Sequence, residues 1–246
     1  MEAAALAASL AGAQLLDVYH NPCRLELSPG LPEERIRLME ASLPADIAAQ
    51  LQDLLRVCSG LKGPVDWLYL TMPMDEDYHL KAFPYTRVIA GGGFGNDWIM
   101  ALEDKTRMWG PVLFICHDPP AVVYQAHNIL DIIRDILTIG SGGGENPASE
   151  PCGAAMEIYS NSPGELTCEQ LSGSADKELA AFAKALDESY YFMDLRNPKP
   201  RCGFSLYWLF NGGDLRRDGG RWLFAYTKPL GFWGRMGKAL RRLSGR

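Results

Sequence analysis

The chain has 246 residues, 47% of them hydrophobic and 22% charged, with 24 basic side chains, 30 acidic ones and a formal net charge of −6. That apolar content is enough for a packed core and excludes a globally disordered chain, while no apolar run reaches the length of a bilayer span. The charge is unevenly spread: nothing acidic follows Asp218, and the end carries Lys228, Arg235, Lys238, Arg241, Arg242 and Arg246, so residues 1–227 hold a net −12. An acidic surface repels nucleic acid and steers toward basic proteins, although such a balance is also common among soluble proteins.

The opening stretch, MEAAALAASLAGAQLL, is apolar but has no basic residue. It predicts an alanine-rich helix to about Leu16 rather than a secretory leader, and with it a cytoplasmic protein. A turn at Asn21 and Pro22, a short strand over 24–27 and a helix from Pro32 follow, the last with Glu33 and Glu34 in its first turn. Residues 43–58 read as a further helix and 66–70 as a strand. Residues 72–85 read as a loop carrying Asp75, Glu76 and Asp77 in a row, beside Tyr78. Arg87 to Ala90 leads into a glycine turn at Gly91, Gly92, Gly93 and Gly95, where the backbone has freedom no other residue allows. Three apolar runs then follow, 98–102, 111–116 and 121–124, broken by polar residues and by Pro119-Pro120; they predict an antiparallel meander. A helix is expected over 128–137.

Residues 140–151 (GSGGGENPASEP) form the clearest break and predict an exposed linker. Beyond it, 154–159 reads as a strand and 175–187 as a helix capped by Ser174, with Leu179, Phe182, Ala183 and Leu186 on one face. Residues 204–210 and 221–226 read as strands joined by the turn-rich NGGDLRRDGG. The final residues place Phe232, Trp233, Met236, Leu240 and Leu243 at helical spacing against a basic face. Three destinations suit that end: the acidic body, an anionic membrane surface or nucleic acid; charge complementarity favours the body. The region after the linker is either a second α+β lobe or an extension of the first sheet, and its few elements favour extension.

Chemistry-bearing patterns are sparse. The glycine run lacks a following Lys-Ser/Thr and leads into a strand, so no helix N-terminus is offered to a phosphate. Cys116, His117 and Asp118 are adjacent, but neighbours on a strand point to opposite faces, which predicts a core-facing thiol and an exposed imidazole rather than a catalytic set. The six cysteines have no Cys-x-x-Cys spacing and read as scattered reduced thiols without zinc. The expectation is a protein with no catalytic residue, no metal and no cofactor. The acidic run Asp75, Glu76, Asp77 is either a solvated loop or a partner-facing patch, with Tyr78 and Trp109 among its candidate aromatic anchors.

The meander GFGNDWIMAL, followed by HDPP, resembles the SMI1/KNR4 (SUKH) family. So do the leading LPADIAAQLQDLLRVCSG and the closing NILDIIRDIL. The usual Asn-Gly-Gly ending of the family's leading helix is Cys58-Ser59-Gly60 here, and the chain after 139 has no counterpart in it. The resemblance implies an α+β fold, a mixed or antiparallel sheet with flanking helices. It divides the chain into a helical lead-in (1–42), a SUKH-like core (43–139), a linker (140–151) and a C-terminal helix-and-hairpin elaboration (152–246). It further implies an immunity protein that binds a cognate polymorphic, contact-delivered toxin domain one to one and blocks its active site without turnover. The toxin would act on nucleic acid or nucleotides; the chain itself would take no nucleic acid, membrane or small-molecule substrate. A regulatory interaction scaffold and an enzyme with an unrecognised site are the alternatives.

Overall fold

The computed structural model describes residues 2–11, 13–17, 20–42, 49–62, 69–71, 83, 86–91, 95–102, 109–142, 150–199, 201–218 and 221–228. The fold is α+β. In chain order its elements are α1 (Glu2–Leu10), β1 (Gln14–Leu16), β2 (Pro22–Arg24), β3 (Glu26–Pro29), α2 (Glu33–Ser42), α3 (Ala49–Val57), β4 (Cys58–Lys62), β5 (Tyr69–Thr71), β6 (Thr86–Gly91), β7 (Asp97–Leu102) and β8 (Trp109–Cys116). There follow β9 (Ala121–Ala126), α4 (Ile129–Gly140), α5 (Pro151–Asn161), β10 (Leu166–Thr167), α6 (Cys168–Ser172), α7 (Lys177–Lys184), β11 (Tyr190–Asp194), β12 (Gly203–Ser205), α8 (Tyr207–Phe210), β13 (Leu215–Arg217) and β14 (Leu223–Thr227).

An eight-stranded antiparallel sheet runs in the order β12-β9-β8-β7-β6-β5-β4-β3, and a four-stranded one in the order β10-β11-β14-β13. The period-2 alternation of the strands sends side chains to two different cores. In β8, Val112, Phe114 and Cys116 face one core while Leu113 and Ile115 face the other. The first core lies between the large sheet and helices α1 to α5, with Leu54 and Leu55 of α3, Ile132, Ile133 and Ile136 of α4, and Ile158 of α5. The second lies between the two sheets, where Ile99, Leu113 and Val122 meet Met193, Phe224 and Tyr226. The third lies on the far side of the small sheet, where Phe192, Leu223 and Ala225 meet Leu171 of α6 and Leu179 and Ala183 of α7. The layers therefore stack helices, sheet, sheet, helices.

Local signals explain most boundaries. Asn128 Oδ1 accepts from the backbone N–H of Leu130 and of Asp131 and starts α4. Thr167 and Gln170 form a reciprocal capping box at α6. Gly95 takes φ = 76°, as the turn before β7 demands.

Several expectations need correction. Residues 154–159 form part of helix α5, not a strand: Pro151 opens the helix, and Ala154, Ala155 and Ile158 share its buried face. The run 204–210 divides between β12, which pairs with β9, and the single turn α8. The hairpin is instead β13 with β14. Helix α7 is capped by Asp176, while Ser174 Oγ accepts from Asp176 N–H one step earlier. The N-terminal helix ends at Leu10, because Gln14–Leu16 pairs with Pro22–Arg24 across a turn. Finally, the region after the linker does not simply extend the large sheet. Among the described residues only β12 joins it; β10, β11, β13 and β14 make a second sheet that covers the first one's other face. The expected basic end lies outside the described residues beyond Lys228, as do residues 143–149 of the linker.

Candidate functional site

Two short helices meet at the β12 edge of the large sheet. Strand β12 is held on β9 in register, and Leu206 N–H donates to Pro120 O at 2.8 Å just past its end. The chain then turns into α8, with Tyr207 N–H donating to Ser205 Oγ. Helix α5 packs across β9 and β12 through Ala154, Ala155 and Ile158. What the two helices bury fixes what they expose. Met156 and Tyr159 on α5 are 54% and 38% exposed, and Tyr207 and Phe210 on α8 are 37% and 68% exposed. Each pair is spaced three residues apart and so shares a helix face. The Tyr159 and Tyr207 rings meet edge to face at 5.6 Å, and Tyr207 stands edge to face with Trp208 at 4.9 Å. Four of the six large exposed hydrophobics among the described residues lie on these helices; the others are Leu38 and Val57. Exposed aromatics and Met at one place are the composition of a protein-binding hot spot.

Behind α8 the support is polar. Lys228 Nζ bonds Glu165 Oε1 at 2.7 Å and lies 4.1 Å from the Tyr191 ring centroid and 5.7 Å from that of Trp208. The Tyr226 hydroxyl donates to the other Glu165 oxygen. Burial first, and the Glu165 carboxylate second, push the Tyr226 hydroxyl far above its usual range, so it stays a donor. Trp208 Nε1 is buried without a partner among the described residues.

The sequence-predicted residues fall differently. Asp75, Glu76, Asp77 and Tyr78 lie outside the described residues. Trp109 begins β8, half-buried against the first core. Cys116 is buried in the core, while His117 and Asp118 are exposed in the turn to β9. His117 N–H donates to Asn96 Oδ1 at 2.8 Å. Burial pushes the Cys116 thiol up to about 11, which keeps it protonated at neutral pH and poor as a nucleophile. No group of three or more His, Cys, Asp or Glu among the described residues is placed to hold a metal ion. No described helix is long and apolar enough to cross a membrane.

The exposed aromatics were absent from the sequence-predicted surface, because both helices read as strands there. The three-residue spacing of Met156 and Tyr159, and of Tyr207 and Phe210, is the signal that finds them. No family model, curated protein or solved structure matches this chain.

Proposed function

We propose that this chain is a SUKH-like immunity protein. In this reading it binds a cognate toxin domain one to one and neutralises it by covering its active site. The observation that carries the reading is the exposed cluster of Met156, Tyr159, Tyr207 and Phe210, set on helices anchored to a stiff sheet. Large aromatics held by a rigid scaffold bind with little loss of side-chain entropy. The net −12 of residues 1–227 favours a basic partner, and nuclease-type toxins are often basic for the sake of their substrate. The segments that carry the family resemblance include strands β7 to β9 and helix α4, and this supports the reading.

Co-expression with candidate nuclease-type toxin domains tests the reading. Survival of the cells together with a complex that co-purifies supports it. Toxicity with neither rescue nor binding overturns that pairing and moves the weight to an interaction scaffold.

A further inference from the structure

Cys116 ends β8, and Cys152 is the second residue of α5, far away in sequence but adjacent in the fold. The side chain of Asn96 spans the two neighbourhoods. Its Oδ1 accepts from the N–H of His117, the residue after Cys116, at 2.8 Å, and its Nδ2 donates to Cys152 Sγ at 3.9 Å. The two thiols lie close enough for each to shift the ionisation of the other, and the helix that carries Cys152 packs on the strand that carries Cys116. Cys116 belongs to the first core, whereas Cys152 is exposed. The pair thus combines one accessible sulfur with one protected sulfur behind it, on two elements that pack together.

We propose that Cys116 and Cys152 are a dithiol modification site, oxidised by a small-molecule disulfide to a protein disulfide that ties α5 to β8. The Cys152 thiolate attacks one sulfur of the oxidant, breaks its S–S bond and releases the first small thiolate. Cys116 then loses its proton, and its thiolate attacks the Cys152 sulfur of the mixed disulfide. The second small thiolate leaves. Two protein thiols are oxidised, one small disulfide is reduced to two thiols, and the two protein protons end on them. Burial of Cys116 and partial desolvation of the otherwise exposed Cys152 hold both thiols above their ordinary range, so each rests protonated and the exchange is slow at neutral pH. The other four cysteines sit differently: Cys58 is buried, Cys23 and Cys202 are half-buried, and the Cys168 thiol bonds Ala183 O. This inference is independent of the proposed function. It reaches the same surface, since the tethered helix also carries Met156 and Tyr159.

The test is to incubate the folded full chain with excess oxidised glutathione, block remaining thiols under denaturing conditions, and map peptides without reduction. The expected result is loss of two of the six thiols, a mass about 2 Da lower, and one linked peptide pair containing Cys116 and Cys152, reversed by dithiothreitol. Cys152→Ser, a change at an exposed position, abolishes the linkage, while Cys202→Ser leaves it intact. Stable glutathione on Cys152 with Cys116 still reduced, no thiol loss at all, or the same loss in Cys152→Ser would each overturn the proposal.

Discussion

Arg196 gathers three carboxylates, Asp176 and Glu178 from the start of α7 at 2.6 and 3.2 Å and Asp194 from the end of β11 at 2.6 Å. Arg221 reaches the same Glu178 at 3.4 Å. The Arg196 hydrogen bond, then the N–H of Leu179 at the start of α7, hold the Asp176 carboxyl below its ordinary range. A carboxyl depressed in the folded state stabilises the fold above its unfolded value, about pH 4, and the contribution disappears as pH falls through the folded value. Solvent at this exposed carboxylate keeps the effect small. Urea midpoints measured from pH 6 to pH 3 are therefore expected to fall less steeply for Asp176→Asn than for the unmodified chain; parallel curves would show the pair to be inert. Some of this residue-scale detail is legible in sequence. Strand alternation places Cys116 inward and His117 outward, as found. The Arg196 cluster is not legible, because it depends on where β11 lies relative to α7.

Helices α5 and α8 show why elements were harder to read than residues. The run 154–159 is short and apolar, and such a run fits a buried strand or a buried helix face equally well. The run 204–210 is rich in aromatic residues, yet its first part pairs with β9 while the rest turns to expose Tyr207 and Phe210. By contrast, strands β7 to β9 and helix α4 carry their own turn, cap and alternation signals and are legible in the sequence; β6, which leads into the glycine turn, is not. At the junction of β12 and α5 sits Gly203, where an added Cβ would lie 1.9 Å from Val122 O and 2.8 Å from Ile158 Cδ1. Backbone oxygen cannot give way as a flexible side chain can. Gly203→Ala is expected to break the β12–β9 pairing and lower the thermal midpoint. Hydrogen exchange checks it: lost protection should appear at β9 and β12 before it appears at β6 and β7. Unchanged protection would mean the strand shifts without cost.

For the whole molecule, the large sheet is shared by two of the three cores, which makes it the structural spine. Phe224 couples the sheets: its ring lies 5.5 Å from Phe83, 5.0 Å from Phe204 and 6.2 Å from Trp222. Truncating a buried Phe costs about 3–5 kcal/mol, a large part of the ~5–15 kcal/mol that holds a typical domain. Phe224→Ala is expected to lower the midpoint of one cooperative unfolding transition rather than to split it, as calorimetry would show. Two transitions would mean that the small sheet with α6 and α7 unfolds alone. This second sheet was the largest gap in the sequence reading, because the pairing of β11 with β14 joins segments some thirty residues apart and leaves no local signal. The four-layer stack in turn leaves α5 and α8 as the ledge on which the aromatic cluster stands.

The most direct test of the proposed immunity role is the affinity of the purified chain for a toxin domain that it rescues in co-expression, compared with that of Phe210→Ala. The side chain is 68% exposed, so its loss should leave the thermal midpoint unchanged. If the cluster is the docking surface, Kd should rise about tenfold or more, in line with a hot-spot aromatic. An unchanged Kd in a folded Phe210→Ala variant, and likewise in Tyr159→Ala, would contradict the assignment of this surface as the binding site.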